Sequence, residues 1–244
     1  MRQVKVNAIK PAFVFLQPMR QAAEYIDIHT HLGKKPSDAI LSVISLMIGE
    51  AIPQGDRILF SAGIHPWQLE KVDIDQAWEY VLQASVHPKF CAVGETGLDR
   101  SISAPWALQL EVFEQHIIFA NQLKLPLIIH VVRALDLLFS FRKKYPAGSW
   151  IIHGFRGNSI QVRQCIRHQI HLSLGAALLD NNPQLHEAVK VIPDSFLFFE
   201  TDIADISIQS VYQKAASLRN TTVTRLCKVI QQNYSNIFST ITDD

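Results

Sequence analysis

At 244 residues, with 48% hydrophobic and 18% charged side chains, the chain can build one large packed domain or two small ones. Its 23 basic and 22 acidic residues leave a net charge of +1, which excludes a nucleic-acid grip spread over the surface and confines any such contact to a local site. Three cysteines without paired spacing, Cys91, Cys165 and Cys227, argue against a disulfide framework or a cysteine-rich zinc site and favour a reducing, cytoplasmic setting.

Residues 1–24 hold Arg2, Lys5, Asn7, Lys10 and Pro11 but no uninterrupted apolar core, so they read as an N-terminal extension rather than a signal peptide. The longest apolar stretch, Ala39–Ile48, is too short for a bilayer, which needs about 20 residues, and no membrane association is expected. From residue 25 to 244 a single barrel domain is expected. Short β-branched runs predict strands at Tyr25–His29, Ala39–Ser45, Arg57–Ala62, Phe90–Gly94, Leu127–Ile129, Trp150–Ile152, His171–Leu174 and Phe196–Glu200. Three- and four-residue apolar spacing predicts helices at Ile74–Val86, Trp106–Leu123, Leu135–Lys144, Asn158–Arg167, Pro183–Val189 and Ile206–Ser217. A closing helix is expected over Thr222–Gln232, with Thr221 as its cap. Eight strands alternating with helices describe a TIM-type (β/α)8 barrel, an α/β fold, trimmed at its first two connections, which are too short for full helices.

Within this frame the run Asp27-Ile28-His29-Thr30-His31 stands out. Alternate strand residues share a face, which sets His29 and His31 about 7 Å apart on one side. Such a pair is either a metal-binding pair or two satisfied histidines in a buried strand. The other strand ends weigh toward metal. Glu95 follows the fourth predicted strand, His130 the fifth, His153 the sixth and Asp202 the eighth. Barrels of this kind carry their active sites at those ends, so four histidines and two carboxylates converge on one mouth.

The ordered blocks Asp27-Ile-His29-Thr-His31, Gly63-Ile-His65-Pro66, Gly94-Glu95-Thr96-Gly97-Leu98-Asp99, Leu127-Ile-Ile-His130, Ile151-Ile-His153-Gly-Phe155-Arg-Gly157 and Glu200-Thr201-Asp202 resemble the TatD family of metal-dependent hydrolases, members of the amidohydrolase superfamily. The resemblance runs from about Tyr25 to Phe238 and implies a trimmed TIM-type barrel, two divalent ions (magnesium, manganese or zinc) and phosphodiester hydrolysis, often as a deoxyribonuclease. It implies His29, His31 and Asp202 as ligands of one ion, His130 and His153 as ligands of the other, and Glu95 as the carboxylate bridging both. Three departures touch the surroundings but spare these six. Arginine follows His130 at position 133, one place later than usual; the block after His153 is Gly154-Phe155-Arg156-Gly157; and Asp202 is followed by Ile203-Ala204-Asp205 rather than an early proline.

Paired metals activate water and clamp the developing oxyanion. Glu95 supplies the two oxygens that bridging requires, and Asp202 is the expected proton acceptor. No Gly-x-Ser-x-Gly nucleophile motif is present. His65 reads as a substrate-oxygen contact or a structural turn histidine. Arg156 reads as a phosphate fork or an unpartnered loop arginine, and Trp67 as a base-stacking ring or a core or rim residue. Asp27 either holds the strand end beneath a ligand or caps a turn. His87, His116, His168, His171 and His186 read as surface or structural. The leading function is a two-metal nuclease whose partner is DNA or a small phosphodiester. The alternatives are a hydrolase of a small amide or ester, including deacylation of charged tRNA, and a metal-stabilised binding protein without turnover.

Overall fold

The computed structural model describes residues 24–33 and 40–238, so the expectation for residues 1–24 falls, save for Glu24, outside the described residues. Eight strands form one all-parallel sheet in chain order: β1 (Tyr25–Thr30), β2 (Ile40–Leu46), β3 (Ile58–Ala62), β4 (Phe90–Asp99), β5 (Leu127–Val132), β6 (Trp150–Ile152), β7 (Ile170–Leu174) and β8 (Leu197–Phe199). Seven helices are described: α1 (Ile74–Ser85), α2 (Trp106–Leu123), α3 (Leu135–Lys144), α4 (Ser159–Arg167), α5 (Pro183–Val191), α6 (Ile208–Leu218) and α7 (Val223–Phe238). No helix precedes β3 among the described residues, in keeping with a barrel trimmed at its start.

Local chemistry explains these boundaries. Asp73 accepts from the Gln76 N–H ahead of α1, and Asn158 and Gln161 form a reciprocal capping box ahead of α4. Arg142, Lys143 and Lys144 sit in the last turn of α3, where positive charge is favoured. Every residue of β4 is buried, as befits a parallel strand covered on both faces. Tyr212 of α6 pins β1, its hydroxyl accepting from Ile26 N–H at 3.3 Å and donating to Ile26 C=O at 3.0 Å.

Two structural differences from the sequence reading matter for the site. β4 continues to Asp99 instead of ending at Gly94, and β5 continues to Val132, so Glu95 and His130 lie within strands rather than beyond them. The reason is glycine. A Cβ at Gly97, where φ is +153°, would lie 1.9 Å from the His130 carbonyl oxygen, and one at Gly94 would lie 2.4 Å from that of Ile128. Only a chain without these Cβ atoms can continue so close to β5. The register slips by one residue between Val93 and Thr96, a bulge centred on Gly94–Glu95 that re-aims the Glu95 side chain. The second difference is at the closing helix. Thr222, not Thr221, caps α7, accepting from the Arg225 N–H at 3.2 Å, and the helix runs on to Phe238 because Ile230, Tyr234 and Phe238 keep burying one face.

The barrel closes at the β1/β8 seam through a single parallel pairing of Thr30 with Asp202, in which Asp202 N–H donates to His29 C=O at 2.9 Å. Asp27 locks the seam. Its carboxylate accepts from Thr201 N–H at 3.1 Å and from the Thr201 hydroxyl at 2.7 Å. Of the two readings for Asp27, holding the strand end is the one the contacts support.

Candidate metal centre

The fold brings His29, His31, Glu95, His130, His153 and Asp202 to the C-terminal mouth of the barrel although the sequence separates them widely. Buried Glu95 is their hub. Its Oε2 lies 3.3 Å from His29 Nε2 and 3.8 Å from His31 Nε2, while its Oε1 lies 3.0 Å from His130 Nδ1 and 2.7 Å from His153 Nε2. Asp202 Oδ1 lies 3.7 Å from His29 Nε2 and 3.3 Å from His31 Nε2. The two carboxylate oxygens of Glu95 thus face two different histidine pairs. Asp202 reaches its place with a left-handed backbone, φ +50°, a conformation that aspartate adopts more readily than most residues.

These spacings suit a cation. Ligand atoms about 2.1 Å from a tetrahedral ion stand about 3.4 Å from one another. The Nε2 of the fully buried His29, the nitrogen that faces Glu95 and Asp202, has no hydrogen-bond partner. Leaving one such buried group unsatisfied costs about 1–3 kcal/mol, which coordination of a metal would offset. The nitrogen and carboxylate oxygen donor set suits zinc, manganese or magnesium.

The electrostatics are those of closely opposed charges. Burial alone would raise the Glu95 carboxyl, but the charge of His153 and the close approach of the His130, His153 and His29 rings hold it well below the usual range. Burial would depress His153, yet the Glu95 and Glu200 carboxylates bring it well above the ordinary histidine value. Burial opposes ionisation of Asp202, but the hydrogen bond from His31 and the charges of His29 and His153 bring it down to about 2.

Two carboxylates that contact the candidate ligands went unassigned in the sequence. Asp99 Oδ2 accepts from His130 Nε2–H at 3.1 Å, which fixes the tautomer and turns the Nδ1 lone pair toward Glu95 and the mouth. Buried Glu200 lies 3.4 Å from His153 Nδ1 through its Oε1, which also accepts from Gly154 N–H at 2.6 Å. Carboxylate–histidine pairs of this kind set ligand orientation and basicity. The signal was there in the alternation of strand residues: Asp99 shares the phase of Glu95 and Gly97, and Glu200 that of Asp202.

His65 is buried at the same mouth. Its Nδ1 accepts from Trp67 N–H at 3.0 Å, and its Nε2 lies 2.9 Å from Glu95 Oε1. Burial lowers its pKa, so the ring is neutral, with its proton on Nε2 facing the centre. Such a ring presents a donor, not a lone pair. Arg156 is exposed on the loop after β6 and makes no hydrogen bond or ion pair among the described residues. His116 is structural: its Nε2 accepts from Ile64 N–H at 2.9 Å and its Nδ1–H donates to Val112 C=O at 2.7 Å.

Residues 37–239 match the family model described as TatD related DNase. The chain belongs to that family. It is a TatD-family metal-dependent hydrolase, and its eight-stranded parallel barrel is of the TIM type. It is 28% identical over 207 residues to the Bacillus subtilis protein named "uncharacterized metal-dependent hydrolase YabD", covering 78% of this chain and 80% of that one. It is 29% identical over 168 residues to the "3'-5' ssDNA/RNA exonuclease TatD" of Musicola paradisiaca, covering 66% and 62%. In fold, the YJJV protein of Escherichia coli, described as a TATD homolog, superposes with a TM-score of 0.76 at 20% identity, over 90% of this chain and 99% of that one. No helix among the described residues of this TatD-family chain is long and apolar enough to cross a membrane.

Proposed function

We propose that the chain is a two-metal phosphodiesterase acting on single-stranded nucleic acid, with one ion held by His29, His31 and Asp202, the other by His130 and His153, and Glu95 shared between them. The observation that carries this reading is the orientation of Glu95, whose Oε2 faces His29 and His31 and whose Oε1 faces His130 and His153. Divalent ions bound there would acidify water and neutralise charge on a phosphodiester. The chain's residues do the rest. Asp202, ionised across any working pH, accepts the proton of the attacking water and returns it to the leaving oxygen. His65, neutral with its Nε2–H against Glu95 Oε1 at 2.9 Å, can turn that N–H to a non-bridging oxygen of a substrate seated beside the carboxylate. Arg156 offers its exposed guanidinium to a neighbouring phosphate. Asp99 and Glu200 hold His130 and His153 in the tautomers that ligation needs. The exonuclease name of the Musicola relative supports a single-stranded substrate.

The test is direct. Protein stripped with EDTA and then supplied with magnesium, manganese or zinc should cleave a single-stranded oligonucleotide, and Glu95→Gln should not. Cleavage of an amide or ester panel with no attack on any oligonucleotide would replace this reading with the small-substrate one.

A further inference from the structure

Trp67 lies two residues past His65, in a single 3₁₀ turn over Pro66–Gln68, and the hydrolysis outlined above gives it no task. Its edge is fixed. The indole Nε1–H donates to Asp99 Oδ2 at 2.9 Å, and the ring meets His65 and His130 edge-on, with centroids 5.0 and 5.7 Å apart. The side chain is nevertheless 51% exposed, whereas Trp78 and Trp150 are buried and Trp106 is half-buried beneath Arg100. A tryptophan serving only to pack would cover its ring. Here the polar edge is anchored to the same carboxylate that orients His130, and the apolar surface is left open at the mouth. The rim elsewhere is apolar too: Leu32, 41% exposed, follows His31, and Ile203, 73% exposed, follows Asp202. A rigid, half-open aromatic ring beside the reaction centre suits a flat, apolar, polarisable group rather than a phosphate.

We propose that Trp67 stacks the nucleobase attached to the phosphodiester being cleaved, and that this contact sets the preference for a base free of its own stack. The inference rests on the nuclease reading above. A phosphate oxygen at His65 leaves its attached base within reach of the indole two residues on. Stacking on an aromatic side chain tolerates any base, because each has a π-face, and a paired, stacked base offers no such face.

The test uses the whole protein, wild type and the variants Trp67→Phe and Trp67→Ala, with single-stranded oligonucleotides carrying either a normal or an abasic terminal residue, placed at each end in turn. Wild type should show a KM about tenfold lower for the base-bearing substrate, consistent with the strength of one such stack. Trp67→Ala should erase that difference, and Trp67→Phe, which keeps a ring but loses the N–H to Asp99, should retain most of it. Binding gives a second readout that needs no turnover. In EDTA, the base-bearing oligonucleotide should quench tryptophan emission saturably, the abasic one should not, and Trp67→Phe should lose the quench. Equal loss of kcat on both substrates in both variants would show that Trp67 acts only through Asp99 and would overturn the stacking proposal. So would a wild type that treats the two substrates alike. If the base-dependent quench appears but no oligonucleotide is cleaved with any metal, the stacking contact stands and the nuclease reading falls.

Discussion

Asp99→Asn is the sharpest probe of how the metal centre is held. The carboxylate takes four hydrogen bonds on two oxygens: Oδ1 accepts from Ser101 N–H at 2.8 Å and from the Ser101 hydroxyl at 2.5 Å, and Oδ2 accepts from Trp67 Nε1–H at 2.9 Å and His130 Nε2–H at 3.1 Å. An amide of the same shape has one acceptor oxygen and an NH2 group. If the oxygen serves Trp67 and His130, the NH2 confronts the Ser101 N–H; if it serves Ser101, the NH2 confronts two ring N–H groups. The hydroxyl can rotate to accept, so the first arrangement costs less, with one bond to a charged acceptor replaced by a donor–donor contact. Each such bond is worth about 1.5–3 kcal/mol, so a loss of about 3 kcal/mol in unfolding free energy is expected from the broken bond and the weakened remainder. Because His130 also loses the charge that sharpens its Nδ1, metal affinity should fall by about 10- to 100-fold. Urea unfolding measures the first quantity and a chelator-competition titration with zinc or manganese the second. Metal affinity within twofold of wild type, in a variant that is folded, would show that Asp99 does not position His130 and would refute this reasoning.

Three further predictions follow from other parts of the structure. Asp202→Asn should abolish hydrolysis while leaving the fold intact, since an amide coordinates through oxygen but takes no proton; retention of more than a tenth of wild-type kcat, a barrier change below about 1.4 kcal/mol, removes Asp202 from the proton-accepting role. Thr201→Val should loosen the β1/β8 seam by removing the hydroxyl bond to Asp27, at a cost of about 1.5–3 kcal/mol, read as a lower urea midpoint at unchanged m-value; a midpoint equal to wild type means the seam is held elsewhere. His116, fully buried, has its pKa lowered by burial to about 4. A histidine depressed in the fold contributes fully above its unfolded value near 6.5, and loses that contribution as pH falls toward 4. Wild type should therefore lose about 2 kcal/mol more stability between pH 7.5 and 5 than His116→Leu, and parallel pH profiles would contradict the assignment.

The barrel was legible because its strands are short, β-branched and doubly buried, and because helix signals such as Asp73 and Asn158 stand where the periodicity changes. The six candidate ligands were legible because each falls at or just beyond the strand end that the pattern marks. What escaped depends on contacts between strands. The length of β4 is decided by how closely Gly94 and Gly97 let it approach β5, and a glycine in sequence reads equally well as a strand stop. The orientation of His130 and His153 depends on Asp99 and Glu200, whose partners lie 31 and 47 positions away. The tautomer of His65 was not legible because it is set by the backbone N–H of Trp67, a bond that exists only once the Pro66 turn is formed.

The central claim is that Glu95 joins two cation sites, and a metal count tests it most directly. Protein stripped with EDTA and titrated calorimetrically with manganese or zinc should bind two equivalents per chain. The same titration of Glu95→Ala should lose at least one of them or weaken both by more than tenfold. A wild type that binds no metal, or a Glu95→Ala variant whose two sites match wild type, would contradict the account.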